Sequence, residues 1–329
     1  MTRLVLFEPA HRRVAAGLAR LAPDLELALV DTQGAITLGS QPISDDAVQP
    51  DWGWFSADSG FGAAGRALFV AMLKAQKLAW VHTGAAGVDN PVWRQLVNKG
   101  AALTTGHGQA ISIAEYVVAG VLEHFQRWPE RHAALAARRW TRLPFREVAG
   151  TRWLVVGFGA IGEAVAERAR AFGAQIIGVR RSGAPHPAAD RMARLEEVRS
   201  LLPEADVVVL AAPLNAETAN LADAAFFAAM KPNAVLVNVG RGGLVDEAAL
   251  LAALDAGKPE HALLDVFHTE PLPEDSPFWA HPKVSLTAHA SAFGSGQTAR
   301  NDALFLENLR RRLAGEALLY PADPRDLAG

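Results

Sequence analysis

Apolar runs of three to six residues alternate with segments repeating at helical spacing along almost the whole chain. In the first hundred residues the runs Leu4–Phe7, Leu25–Val30, Trp52–Ser56, Leu78–His82 and Ala102–Thr104 read as strands. Helical patterns fall between them at Arg12–Leu21, Gly62–Lys74 and Pro91–Asn98. Alternation of this kind predicts a parallel sheet with helices on both faces. A long apolar helix from about Ile113 to Arg127 follows, then a polar, tryptophan-containing stretch through Arg146. From Thr151 the pattern starts again, with strands expected at Leu154–Val156, Gln175–Val179, Val207–Leu210, Val235–Asn238, Leu263–Val266 and Val284–Leu286. Those six strands suffice for a dinucleotide-binding sheet. The last helix, about Gln297 to Leu313, has nothing left to cover there, so it is expected to return to the N-terminal half.

The second half opens on Gly157-Phe158-Gly159-Ala160-Ile161-Gly162, with the run Trp153–Val156 before it and a helical repeat to Phe172 after it. Gly157 permits the turn, Gly159 lets a pyrophosphate approach the backbone, and Gly162 lets the helix pack closely on the sheet. Free N–H groups and a positive dipole end at the helix start suit phosphate. The next strand ends on Arg180-Arg181-Ser182, and no acid follows before Asp190. A carboxylate at that place holds the ribose hydroxyls of NAD, whereas guanidinium forks bind a 2′-phosphate. NADP(H) is therefore the expected cofactor, with NAD(H) the alternative.

Composition removes other classes. The 329 residues carry a formal charge of −3, which offers nothing for nucleic acid or an anionic membrane. No cysteine occurs, so thiolate catalysis and Cys-ligated metal sites drop out. No His/Asp/Glu spacing makes a metal site, and Thr2–Glu8 reads as a first strand rather than a leader. A cytoplasmic location is the expectation. Arg138-Arg139 and Arg310-Arg311-Arg312 are read as solvated helix faces.

Three further segments follow expected strand ends: Asn238-Val239-Gly-Arg241-Gly, Leu264-Asp265-Val-Phe-His-Thr-Glu270-Pro-Leu, and Thr287-Ala-His289-Ala-Ser291. With the glycine turn, Pro213-Leu214 and Glu217-Thr218, they make the chain resemble the D-isomer-specific 2-hydroxyacid dehydrogenases over nearly its whole length. His82-Thr-Gly-Ala85-Ala86-Gly87-Val-Asp89 is similar to that family's substrate loop. The resemblance implies an α/β architecture of two Rossmann-like domains, one flavodoxin-like and one dinucleotide-binding, with a cleft between them. Residues 1–104 and 296–329 would form a discontinuous substrate-binding domain, and residues 105–295 the dinucleotide domain.

It also implies roles. Arg241 would hold a 2-keto acid's carboxylate and carbonyl, with backbone N–H groups of Ala85, Ala86 and Gly87 on the other side. His289 would be the acid in reduction and the base in oxidation, and Glu270 its hydrogen-bond partner. Asp265 would contact the nicotinamide carboxamide. Gly157 to Gly162, Arg180, Arg181, Ser182, Pro213 and Val239 would line the cofactor site. The family's usual Thr-Pro-His is Thr287-Ala288-His289 here, and Ala290–Gly294 also departs from its pattern, which leaves the substrate-side lining open. Specificity is expected from Trp52–Phe61, His82–Ala86 and the surroundings of Phe293. His82, His107 and His268 have only their position near these segments and are given no catalytic role.

The leading expectation is an NADP(H)-dependent reductase of small 2-keto acids such as glyoxylate or hydroxypyruvate. It is expected to be a homodimer with Trp140 in the contact. The alternatives are a catalytically weak nucleotide-sensing binding protein, similar to the corepressors of the same family, and an NAD-dependent dehydrogenase for a bulkier 2-hydroxy acid. Formate dehydrogenases are disfavoured, because they pair the histidine with Gln where this chain has Glu270. With the sequence ending at Gly329, a phosphoglycerate dehydrogenase carrying a regulatory extension is not expected either. No G-x-S-x-G elbow supports hydrolysis.

Overall fold

The computed structural model describes residues 1–60 and 62–327, which fall into two compact units: residues 1–109 with the chain from 295 onward, and residues 110–294. The first unit runs β1 (Arg3–Phe7), α1 (Glu8–Leu21), β2 (Glu26–Val30), β3 (Ile36–Leu38), β4 (Gln41–Ile43), α2 (Asp45–Val48), β5 (Trp52–Phe55), α3 (Ala63–Lys74), β6 (Trp80–Thr83), α4 (Pro91–Asn98) and β7 (Ala102–Thr104). Its sheet has the order β4-β3-β2-β1-β5-β6-β7. The five strands from β2 to β7 in that order are parallel, a flavodoxin-like arrangement. β3 and β4 add an antiparallel edge hairpin that the hydrophobic pattern does not announce. Each of those two strands has only three residues, too few to show a period.

The final helix, Gln297–Ala314, packs within this first unit. Its Phe305 is fully buried and stacks on Trp54, centroids 3.9 Å apart and planes 3° from parallel. Leu306 lies so close to α1 that a Cβ on Gly17 would come within 2.7 Å of its Cδ1. Arg13 of α1 adds a polar tie, donating to Asp302 of the final helix at 2.6 Å and to Asp58 at 2.7 Å. Asn308, wholly buried, exchanges two hydrogen bonds with the Leu319 backbone and anchors the chain beyond the helix. Phe61, the last residue of the expected Trp52–Phe61 specificity segment, lies outside the described residues.

The second unit runs α5 (Ala110–Phe125), α6 (Trp128–Ala136), β8 (Arg152–Val156), α7 (Ala160–Ala171), β9 (Gln175–Val179), β10 (Arg191–Ala193), α8 (Val198–Leu201), β11 (Val207–Leu210), α9 (Ala224–Ala229), β12 (Val235–Asn238), α10 (Glu247–Asp255), β13 (His261–Leu264) and β14 (Val284–Leu286). All seven strands are parallel, in the order β10-β9-β8-β11-β12-β13-β14. Helices cover both faces, so alternate residues feed two cores. Leu154, Val156, Val208 and Leu210 enter one, while Trp153, Val155, Val207 and Val209 enter the other. That is why these strands read as unbroken apolar runs rather than alternating ones.

The second unit departs from the expected pattern at several points. The sheet has a seventh strand, β10, whose three residues open on the charged Arg191 rather than on an apolar run. The fifth expected strand, Leu263–Val266, is shifted and spans His261–Leu264. The polar stretch after α5 contains a helix of its own, α6, started by Pro129 in its first turn and preceded by Arg127 at φ +58°. Arg138 and Arg139 are not on a helix face. They follow the end of α6, with Arg138 at φ +51°.

Candidate active site

Sheet order decides where the site forms. In the second unit, neighbouring strands β8 and β11 send their chains to opposite sides of the sheet, which opens a crevice at their carboxyl ends. The glycine turn follows β8 there. Gly157 has φ +99°, and a Cβ on it would lie 2.3 Å from the Ala212 nitrogen, so no other residue fits without moving backbone. A Cβ on Gly162 would lie 2.3 Å from the Gly157 carbonyl oxygen, the close helix-to-turn approach expected of the third glycine. Gly159 is different: nothing lies within 4 Å of its Cβ position, and it is exposed. The α7 N-terminus has no side-chain cap, leaving backbone donors turned towards that open space. An open cradle with uncapped N–H groups fits a pyrophosphate.

The buried ring of Phe158 packs on Gly178 of β9 and meets the His186 ring at 5.2 Å. Pro213 is exposed just past β11, and its carbonyl accepts from the Thr218 hydroxyl at 2.6 Å. Val239 is buried beyond β12, its N–H donating to the Leu210 carbonyl at 3.0 Å.

The basic end of β9 is less simple than its sequence. The Arg180 guanidinium folds onto its own loop, donating to the Ala184 and Pro185 carbonyls at 2.8 and 3.1 Å, with its Nε buried and unpartnered. Arg181 pairs with Glu217 at 3.3 Å, and the Ser182 hydroxyl accepts from the Ala184 N–H at 3.3 Å. A third arginine, missed by sequence reasoning, arrives on the neighbouring strand. Arg194 follows β10, and the Arg180 N–H donates to the Ala193 carbonyl beside it. Its side chain overlies Gly183, where a Cβ would come within 3.0 Å of Arg194 Cγ. It is exposed and has no ion-pair partner among the described residues. The only sequence signal was Arg194 standing just before an acidic turn, Glu196-Glu197, which says nothing about β9.

Arg241, Glu270 and His289 follow β12, β13 and β14, three strands adjacent in the sheet. Asn238 shapes the Arg241 turn: its Nδ2 donates to the Arg241 carbonyl at 2.9 Å, and its Oδ1 accepts from the Gly240 N–H at 3.1 Å. Glu270 and His289 form a pair, His289 Nδ1 to Glu270 Oε2 at 2.8 Å. The other Glu270 oxygen accepts from the Phe267 N–H at 2.9 Å, so the carboxylate is held from behind. The His289 side chain remains 47% exposed, with Nδ1 taken up by Glu270. His289 also adopts a left-handed backbone, φ +52°, which a residue with a Cβ takes only when its surroundings impose it.

Both oxygens of Asp265 are engaged with the Thr287–Ser291 turn, and the carboxylate is 1% exposed. Ala85, Ala86 and Gly87 lie in the first unit as a half-buried loop after β6, the Ala85 N–H donating to Thr83 Oγ1 at 3.2 Å. His82, also of the first unit, is fully buried with Nδ1 2.9 Å from Thr104 Oγ1, and His107 bonds Thr105. His268 is tied to the Val245 carbonyl at 2.9 Å. No group of side chains among the described residues is arranged to hold a metal ion.

Residues 118–291 match the model of the D-isomer specific 2-hydroxyacid dehydrogenase NAD binding domain. A D-3-phosphoglycerate dehydrogenase of Methanocaldococcus jannaschii is 34% identical over 248 residues, covering 74% of this chain and 47% of that protein. The chain thus spans about half the length of the curated relatives heading that comparison. A glyoxylate/hydroxypyruvate reductase A of Citrobacter koseri is 32% identical over 230 residues, covering 68% of this chain and 74% of the relative. Among solved structures, a D-isomer specific 2-hydroxyacid dehydrogenase of Xanthobacter autotrophicus Py2, in complex with NADPH and MES, aligns with a TM-score of 0.76 and 28% identity over 98% of this chain and 99% of that one. Family model, full-length structural match and the carboxylate–imidazole pair at adjacent strand ends all point one way: this chain belongs to the D-isomer specific 2-hydroxyacid dehydrogenase family.

Proposed function

We propose that this chain reduces small 2-keto acids of the glyoxylate and hydroxypyruvate kind to 2-hydroxy acids, using NADPH. The observation that carries the reading is the 2.8 Å pair of His289 and Glu270, with the outer face of the imidazole open. Residues 110–294 would be the dinucleotide-binding domain and the first unit the substrate-binding domain. The Gly157–Gly162 turn would hold the pyrophosphate, and the bound dinucleotide supplies hydride to the substrate's carbonyl carbon. Arg241 grips the substrate carboxylate and polarises its carbonyl, because a guanidinium fork can serve both oxygens. As the carbonyl carbon gains hydride, His289 Nε2 gives its proton to the carbonyl oxygen, and Glu270 keeps Nδ1–H pointing away from it. The half-exposed ring then recovers a proton from solvent.

A panel of keto acids assayed with NADPH and NADH tests this. Turnover of glyoxylate or hydroxypyruvate with NADPH is expected, and its absence across the panel would refute the reading. The cofactor preference rests on the acid-free end of β9 and the cations around it. Arg181 faces a carboxylate already, so Arg194 is assigned the larger share of a 2′-phosphate. Arg194→Ala is expected to lower kcat/KM with NADPH by about tenfold or more, the worth of one charge-assisted hydrogen bond. The same variant should leave NADH within twofold; equal losses with both cofactors would count against the assignment.

A homodimer is part of the same proposal. Trp140 is 97% exposed and Leu135 75%, with Phe145 and Trp128 about half exposed in the same segment. Apolar side chains gathered like this mark an interaction surface. Sedimentation at micromolar concentration should give a dimer, and Trp140→Ala should weaken it; a monomeric wild type would disprove the point.

A further inference from the structure

Within the second unit, the turn that carries His289 is tied to α5, a helix with no part in the chemistry outlined above. Asp265 Oδ1 accepts from the Thr287 hydroxyl at 2.6 Å and from the Ala290 and Ser291 N–H groups at 2.8 and 3.2 Å. Its Oδ2 accepts from the Ser291 N–H at 3.1 Å and from the Ser291 hydroxyl. The Asp265 carbonyl takes the His289 N–H at 2.8 Å. His289, at φ +52°, is thus gripped by its own N–H and on both flanks.

The direction of the remaining bond follows from counting hydrogens. Thr287 has one hydroxyl hydrogen, and Asp265, ringed by donors, can only accept it. The Tyr116 hydroxyl, 2.8 Å from Thr287 Oγ1, must therefore donate. Burial pushes the Tyr116 phenol up to about 12, so it retains the hydrogen this role needs. The chain runs one way, from Tyr116 O–H to Thr287 O–H to the carboxylate that winds the turn. Hydrogen bonds in such a series polarise one another, so the first donor strengthens the second.

We propose that Tyr116 is a positioning residue: through Thr287 it steadies the Asp265 carboxylate, and with it the turn that aims His289. This rests on the acid–base reading of His289. Tyr116→Phe keeps the ring and deletes only the donor. Its kcat for keto-acid reduction is expected to fall about fivefold, the worth of one hydrogen bond, with the KM for NADPH within twofold. Thr287→Ser retains both bonds and should keep the wild-type kcat, while Thr287→Val loses both and should fall further than Tyr116→Phe. In a His289→Ala background, Tyr116→Phe should cost nothing more, because there is no longer an imidazole to aim.

An arm that needs no turnover is amide hydrogen exchange across residues 287–293. Exchange should quicken about fivefold in Tyr116→Phe and stay unchanged in Thr287→Ser. Unaltered exchange in Tyr116→Phe overturns the positioning role, whether or not the protein is active. An unaltered kcat, or an equal loss in the His289→Ala background, does the same. Quickened exchange in a protein that reduces no keto acid would uphold the hydrogen-bond chain and strike down the catalytic reading beneath it.

Discussion

His289→Ala lowers kcat/KM for keto-acid reduction by about 10²–10⁴-fold, the range that general acid–base help supplies, while the fold survives. The survival follows from exposure: the side chain is 47% accessible and its removal leaves no cavity in either core of the second unit. The left-handed backbone at this position costs alanine somewhat more than it costs the native residue. A small fall in thermal stability should therefore accompany the kinetic loss. Glu270→Gln is expected to cost less than His289→Ala, because an amide oxygen still accepts from Nδ1 but brings no charge. The two variants are compared by steady-state kinetics with NADPH, and cofactor binding is followed by nicotinamide fluorescence. Unchanged NADPH affinity with collapsed turnover is the expected signature. If His289→Ala turned over like the wild type, the proton would have to come from elsewhere and the proposed mechanism would be wrong.

Acid should destabilise the protein steeply, and the first unit above all. His82 is fully buried beside Trp80 and Phe305, and burial pushes it down to about 3; His107, half-buried against Tyr320, is pushed down by burial to about 4. In the unfolded chain both titrate near 6.5. Below that pH the unfolded state binds protons that the folded state refuses, so stability falls as pH drops from about 6.5. The loss continues until the folded-state values are reached, near 4 for His107 and near 3 for His82.

Each such group costs about 1.4 kcal/mol per pH unit, so the two together remove about 5 kcal/mol between pH 6.5 and 4.5. A typical domain has about 5–15 kcal/mol in all, so this loss is a large share of the first unit's stability. In the second unit His261 behaves alike, pushed down to about 3 by burial and by the neighbouring His124 and His281. Melting temperatures measured from pH 7 to 4.5 check this, with His82→Asn flattening the slope by about one proton. A melting temperature constant across that window would contradict the sign and the cause together.

How far the sequence could be read depends on the range of the forces involved. Buried parallel strands declare themselves, because both faces are covered and every residue must be apolar; Val207–Leu210 and Val235–Asn238 are seen where they were expected. The short strands β3, β4 and β10 escape that reading. The helix α6 was hidden in Trp-Pro-Glu-Arg-His, which looks like loop until the proline is placed in a first helical turn.

The site divides in the same manner. A glycine turn between a strand and a helix is local chemistry, legible from spacing alone. Arg180 looked like the natural phosphate ligand because it ends β9, yet its fork is spent on two carbonyls of its own loop. Arg194, fourteen residues further on, is brought beside it only by the pairing of β10 with β9.

From its residues alone this chain declared two α/β repeats, a dinucleotide turn and the functional groups a keto-acid reductase would use, because each is written in neighbours along the backbone. Tertiary structure decided which of those groups meet. The bond from Tyr116 to Thr287 spans 171 positions, that from Asp265 to the same threonine 22, and the pairing of His289 with Glu270 nineteen. Such partners are chosen by the order of strands in a sheet, and strand order minimises the exposed apolar surface of a whole domain rather than of any segment within it.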